Sequence, residues 1–200
     1  MFAQHHLDDS IDDICNTAGQ PVAQTEVSIR SVDNNCAVVV GEVGEICARG
    51  PCVMLEYNDN PKATFETVDA NGWLHTGDLG RMDARGYVTV TGRVKEMIIR
   101  GGENVYPREI EEFLYTHPDI QEIQVFGVPD AKYGEQVAAW IQLKEGVSIT
   151  EDDIRLFCNG QITHFKIPKY IKLVTDFPMT VTGKMQKFVM RDSYAEELGL

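Results

Sequence analysis

Three stretches of the sequence put reactive residue types where a small anionic substrate could meet them. The first is Gly72-Trp73-Leu74-His75-Thr76-Gly77-Asp78-Leu79. Here Thr-Gly-Asp sets a carboxylate on a tight turn directly after a strand. Such a carboxylate can accept two hydrogen bonds from a vicinal diol, as acidic residues do for ribose in dinucleotide sites. Taken alone, Asp78 could equally be a turn residue capping its own backbone. The second stretch runs from Gly92-Arg93-Val94-Lys95-Glu96 to Arg100-Gly101-Gly102-Glu103-Asn104. Two adjacent glycines between a strand and a helix let the backbone come close to something narrow. Arg93 and Lys95 stand at a seam between two differently patterned halves, where a solvated linker would carry the same charges. The third stretch, Pro178-Met179-Thr180-Val181-Thr182-Gly183-Lys184-Met185, presents a lysine on a glycine turn. That lysine is a mobile cation able to reach a carboxylate or phosphate, or it is an ordinary surface lysine. It is not a phosphate loop, which needs Gly where Pro178 stands and Ser or Thr where Met185 stands.

The elements that must position these residues change character along the chain. Residues 1–19 are acidic, with Asp8, Asp9, Asp12 and Asp13 clustered, and read as a loose leader. From Thr25 short strands alternate with turns: Val27 and Ile29, Ala37 to Val40, Glu45 to Arg49, and Tyr87 to Thr91. Residues 1–92 therefore read as a β-rich, barrel-like unit. Beyond them strands and helices mix. Met97 to Ile99 is a short strand. Pro107 suits a first helical turn, and Ile110, Phe113 and Leu114 give that helix its apolar stripe, which His117-Pro118 ends. Ile123, Val125 and Val137 to Leu143 read as strands. Ser148 with Glu151 suggests a capping box before a helix carrying Ile154, Phe157 and Cys158. Tyr170 to Val174 is a strand and Lys187 to Leu198 a terminal helix. Residues 93–200 are thus expected to form a small α+β domain.

Composition narrows the function classes. The chain of 200 residues has a formal net charge of −13, which argues against a nucleic-acid binder. Yet residues 163–191 hold six basic groups (Lys166, Lys169, Lys172, Lys184, Lys187, Arg191) against one acid, Asp176. A local basic zone in an acidic protein suits a small polyanion, or is a solvated lysine face; composition alone leaves both open. The five cysteines form no CxxC pair and the histidines are scattered, so no metal site is expected, and the thiols read as reduced. No run of apolar residues is long enough for a membrane span, and residues 1–9 lack a signal peptide's basic and apolar regions.

Together, the order and wording of the three stretches resemble the adenylate-forming superfamily, and within it the medium- to long-chain fatty acyl-CoA synthetases. The resemblance runs from about Thr17-Ala18-Gly19-Gln20-Pro21 to the C-terminus. It includes Gly44-Glu45-Ile46, Gly127-Val128-Pro129-Asp130, Gly134-Glu135 and His164-Phe165-Lys166-Ile167-Pro168-Lys169-Tyr170. It implies the C-terminal part of such an enzyme: residues 1–92 the end of a large domain, residues 93–200 a mobile small domain. By this resemblance Asp78 and Arg93 contact the ATP ribose, and Lys95 is the hinge. Gly101, Gly102 and Glu103 line a tunnel for the CoA pantetheine, and Lys184 is the adenylation lysine. The implied substrates are a fatty acid, ATP and CoA, with Mg2+ held mainly by residues upstream of this chain. No nucleic-acid or integral-membrane partner is implied, nothing bars a homo-oligomer, and the expected location is cytoplasmic, with a peripheral membrane association left open. The alternatives are a ligase for aryl or other acids, a carrier-protein adenylation domain, or a stand-alone binding module. One departure is Glu56 in Met54-Leu55-Glu56-Tyr57, where the family usually has Gly. Another is the absence of the family's phosphate loop and acyl pocket, for which this chain alone is expected to be inactive.

Overall fold

The computed structural model describes residues 2–200, and the chain divides into two compact units, residues 1–95 and 96–200. The first holds β1 (Ala3–Gln4), α1 (Ile11–Asn16), β2 (Gln20–Pro21), β3 (Glu26–Arg30), β4 (Gly44–Arg49), α2 (Pro61–Thr67), β5 (Leu74–Met82) and β6 (Val88–Arg93). Strands β3 to β6 pair antiparallel in chain order, while β1 and β2 form a separate two-stranded pair. Ile29, Ile46 and Val88 are buried on one face of the larger sheet, with Phe2, Val38, Met82 and Val90 packed against them.

The sheet is open, because β3 and β6 are its outer strands and do not pair with each other, so the barrel-like unit is not closed among the described residues. Two expectations for this half are corrected. The leader is not loose. Ser10 caps α1, Asp13 pairs with Arg85 at 2.7 Å, and the Tyr87 hydroxyl donates to Asp9. Asp9 and Asp13 are attachment points, while Asp8 and Asp12 stay exposed. Ala37 to Val40 forms no strand; only Ala37 bridges to Arg30, and the chain then turns. Helix α2 was hidden behind its own start signal, since Asn60 caps it and Pro61 opens it. Glu56 sits in the exposed loop before α2 and takes no left-handed conformation; Asp59, not Glu56, does so at φ 51°.

The second unit holds β7 (Ile98–Arg100), β8 (Glu103–Val105), α3 (Pro107–Leu114), β9 (Ile120–Asp130), β10 (Gly134–Leu143), α4 (Glu151–Cys158), β11 (Tyr170–Leu173) and α5 (Lys187–Leu198). Strand β10 pairs antiparallel with β9 along its length and parallel with β11, and meets β7 where Gly134 pairs with Arg100. A parallel neighbour requires a crossover, and α4 lies within the one between β10 and β11. The period of two in β9 and β10 divides the core. Ile123, Val125, Val137, Ala139 and Ile141 pack with Ile110 and Leu114 of α3 and Ile154 and Cys158 of α4. Phe126, Val128, Ala138 and Trp140 pack with Met190 and Tyr194 of α5. The capping box before α4 is formed by Thr150 and Asp153, two residues later than the expected Ser148 and Glu151.

Candidate functional site

Asp78 is presented by an irregularity in the first unit's sheet. Between β4 and β5, Glu45 pairs with Leu79 and Cys47 with His75. One residue of β4, Ile46, therefore faces three of β5: Thr76, Gly77 and Asp78. The Thr-Gly-Asp segment is a bulge inside a strand, not a turn after one, which corrects the sequence reading. Gly77 takes φ 72°, a left-handed conformation that glycine adopts without steric cost. Side chains replace the interrupted ladder. The Thr76 hydroxyl donates to the Ile46 carbonyl at 2.7 Å and accepts the Asp78 N–H at 3.1 Å. Glu45 accepts the Gly77 N–H at 3.0 Å, and its other oxygen lies 2.7 Å from His75 Nδ1.

On the far side of the bulge, Asp78 pairs in register with Arg93 of β6, and Arg93 Nε lies 3.1 Å from the carboxylate. The side chains are 30% and 68% exposed. An ion pair this open contributes about 0–1 kcal/mol to stability. Its interest lies in the acceptor and donor set side by side at the surface. Lys95, two residues on, is exposed in a short 3-10 turn, Val94–Glu96.

Glu45, Cys47 and His75 are the one group of three potential metal ligands that converges among the described residues. The set does not suit Mg2+, which takes oxygen ligands. One Glu45 oxygen is committed to the Gly77 amide and the other to His75. Burial, then the charge of Glu45, pushes the Cys47 thiol up to about 12. Hydrogen bonding accounts for the cluster.

In the second unit, Gly101 and Gly102 join β7 to β8, not a strand to a helix as the sequence suggested. Arg100 pairs with Glu103, and the glycines between them take φ 62° and 88°. Two left-handed central residues make a tight hairpin turn of the mirror-image type. The Gly101 N–H donates to the Tyr133 carbonyl at 2.8 Å, and a Cβ at Gly101 would lie 3.1 Å from the Tyr133 ring. A Cβ at Gly102 would meet nothing within 4 Å, so that side of the turn is open. Glu103 is exposed. The Arg100 guanidinium stacks on Tyr133 at 4.5 Å. Arg100 also lines a cavity of about 590 Å³ with Gln136, Arg155, His164 and Lys169. The sequence reading counted Lys169 in a basic zone but missed this cavity, whose linings come from β7, β10, α4 and the loop before β11.

Lys184 sits on a separate hairpin. The Thr180 N–H donates to the Lys184 carbonyl at 2.9 Å, the Lys184 N–H to the Thr180 hydroxyl at 3.0 Å, and the Gly183 N–H to the Thr180 carbonyl at 2.9 Å. The backbone is thus held while the side chain is exposed and makes no ion pair among the described residues. Three residues on, Lys187 reaches Glu111 at 2.8 Å and Glu96 at 3.4 Å. The structure therefore brings Asp78 to Arg93, and Gly101, Gly102 and Glu103 into one turn, and gives Lys184 a turn of its own.

Residues 109–184 match the AMP-binding enzyme C-terminal domain. The chain is similar to the C-terminal part of the adenylate-forming enzymes. The human medium-chain acyl-CoA ligase ACSF2, mitochondrial, is 44% identical over 196 residues, covering 98% of this chain and 32% of that protein. The solved structure of ATP-bound MatB from Rhodopseudomonas palustris superposes with a TM-score of 0.84 at 35% identity, covering 90% of this chain and 36% of MatB. A Mycobacterium tuberculosis fatty acyl-CoA synthetase gives a TM-score of 0.63 at 36% identity, covering 91% of this chain and 36% of that enzyme. The chain thus spans about a third of the length of the adenylate-forming relatives it matches, in their C-terminal part. No helix among its described residues is long and apolar enough to cross a membrane.

Proposed function

We propose that these residues form the C-terminal part of an acyl-CoA synthetase that joins a fatty acid to CoA through an acyl-adenylate. In the first half-reaction a carboxylate oxygen attacks the α-phosphorus of ATP, and the bond to pyrophosphate breaks. In the second the CoA thiol attacks the acyl carbonyl, and AMP leaves. The observation that carries the reading is the bulge that holds Asp78 beside Arg93, because a carboxylate free to accept from both hydroxyls of a ribose suits ATP and the adenylate alike.

Negative charge builds on the phosphoryl oxygens during adenylation, so a positioned cation lowers the barrier. Lys184, backbone-fixed and with no ion pair among the described residues, is suited to bridge the carboxylate and the α-phosphate and to offset their repulsion. Residues 1–92 are then the end of the large domain and residues 93–200 the mobile small domain. Rotation at Lys95 would withdraw Lys184 and bring in the turn of Gly101, Gly102 and Glu103. The open side of Gly102 supports a narrow pantetheine arm passing there. The cavity lined by Arg100 sets Arg100, Arg155 and Lys169 against Asp152, with Arg155 and Lys169 already paired to carboxylates, so Arg100 is the cation it offers the phosphates of CoA. Among the described residues the converging group Glu45, Cys47 and His75 does not suit Mg2+, which takes oxygen ligands. The purified 200-residue chain is expected to release no pyrophosphate from ATP and a fatty acid, whereas the product of a longer reading frame carrying it would. Robust turnover by the 200 residues alone would refute the reading.

A further inference from the structure

We infer that Glu45 is the positioning residue of the nucleotide site: its carboxylate holds the bulge that aims Asp78. This rests on the reading of Asp78 as a ribose ligand. The β4–β5 register leaves Thr76, Gly77 and Asp78 facing a single residue, so the bulge has lost regular ladder partners on that side. Backbone groups in a half-buried segment need replacements. Thr76 supplies two of them from within the bulge. Glu45 supplies the one that comes from the neighbouring strand, accepting the Gly77 N–H at 3.0 Å. Its other oxygen engages His75 at 2.7 Å, the residue just before the bulge. One carboxylate thus grips β5 where the bulge begins and at its centre.

The placement fixes what Glu45 can do. Its side chain is 14% exposed and His75 is 22% exposed, so the grip is largely shielded from water while Asp78 beyond it remains more open. Gly77 is the residue whose peptide could most readily flip, having no Cβ to resist it. Holding its N–H toward Glu45 fixes the direction in which the chain leaves the bulge. That direction sets whether the Asp78 carboxylate meets Arg93 and a ribose together. Glu45 does not touch the nucleotide in this account; it acts through Gly77.

The test uses the 200-residue chain, backbone amide NMR and AMP as the probe, with 2′-deoxy-AMP as the control. In the unaltered chain, AMP should shift the Asp78 and Arg93 amides, and the deoxy analogue should do so far less. Glu45→Ala should speed Gly77 amide exchange and weaken AMP on the order of tenfold, while Val88 and Ile46 in the core keep their protection. Glu45→Gln should recover most of both effects. Its amide oxygen can still accept from Gly77, and its NH2 can donate to His75 once the imidazole changes tautomer. Unchanged Gly77 exchange or unchanged AMP affinity in Glu45→Ala would overturn the assignment. Asp78→Asn separates the two levels. If it leaves AMP affinity intact, the ribose reading fails, while Gly77 exchange still decides whether Glu45 holds the bulge.

Discussion

Asp78 and Arg93 face each other in register across β5 and β6, with Arg93 Nε 3.1 Å from the carboxylate, on a stretch of β5 pushed out of its ladder with β4. The pair does little for stability at this exposure. Asp78→Asn should therefore leave the melting temperature of the first unit nearly unchanged and weaken ribonucleotide binding roughly ten- to a hundredfold, the loss of one to two charged hydrogen bonds. Parallel thermal melts and AMP titrations check this. A large fall in melting temperature with binding intact would invert the assignment.

The glycine turn makes a second expectation. Alanine in a left-handed conformation costs about 1–2 kcal/mol at either glycine. At Gly101 the new methyl also crowds the Tyr133 ring, whereas at Gly102 it enters open space. Gly101→Ala should lower the melting temperature of the second unit more than Gly102→Ala. Gly102→Ala should act mainly on thioester formation in an active enzyme. Equal melting temperatures would show that Tyr133 yields freely.

The thiols should sort by burial. Cys15, Cys36 and Cys52 are exposed, while Cys47 and Cys158 are buried. Burial pushes the thiols up, Cys47 to about 12 and Cys158 to about 11. At pH 8 a thiol reagent should label three cysteines quickly and two only on unfolding. Fast labelling of five would contradict the packing.

The attachment of the N-terminal segment should respond to pH at both ends. The Arg85 guanidinium holds Asp13 below the usual carboxylate range, and the Tyr87 hydroxyl does the same for Asp9. Such groups contribute stability above the unfolded carboxylate pKa of about 3.9, which is lost as pH falls through their lower folded values. The Asp9 hydrogen bond also raises the Tyr87 phenol to about 12, so that contribution fades between about pH 10 and 12. Amide exchange in α1 should therefore accelerate below about pH 4 and again above about pH 10, in advance of the core strands. Synchronous loss of α1 and the core in acid would contradict it.

What could be read from the sequence follows from how local each signal was. Alternating apolar residues at Ile123, Val125 and Val137 to Leu143 declared their strands, because the two faces of β9 and β10 have separate cores. Pro107 with Ile110 and Leu114 declared α3 for the same local reason. The bulge could not be read. It exists only because β4 pairs with β5 out of step, and the partner that reveals it, Glu45, lies some thirty residues away in sequence. Helix α1 was obscured because Asp13 within it and Asp9 just before it are matched by Arg85 and Tyr87, far along the chain.

In the proposed reading the two half-reactions use separate devices, and Lys184 serves the first. This division is tested most directly by Lys184→Ala in an active synthetase that contains these residues, assayed in both halves. Fatty-acid-dependent exchange of pyrophosphate into ATP should fall by at least a hundredfold, the scale of removing one transition-state charge contact. CoA thioester formation from a supplied acyl-adenylate should stay within a fewfold of the unaltered enzyme. An equal loss in both halves would contradict the account.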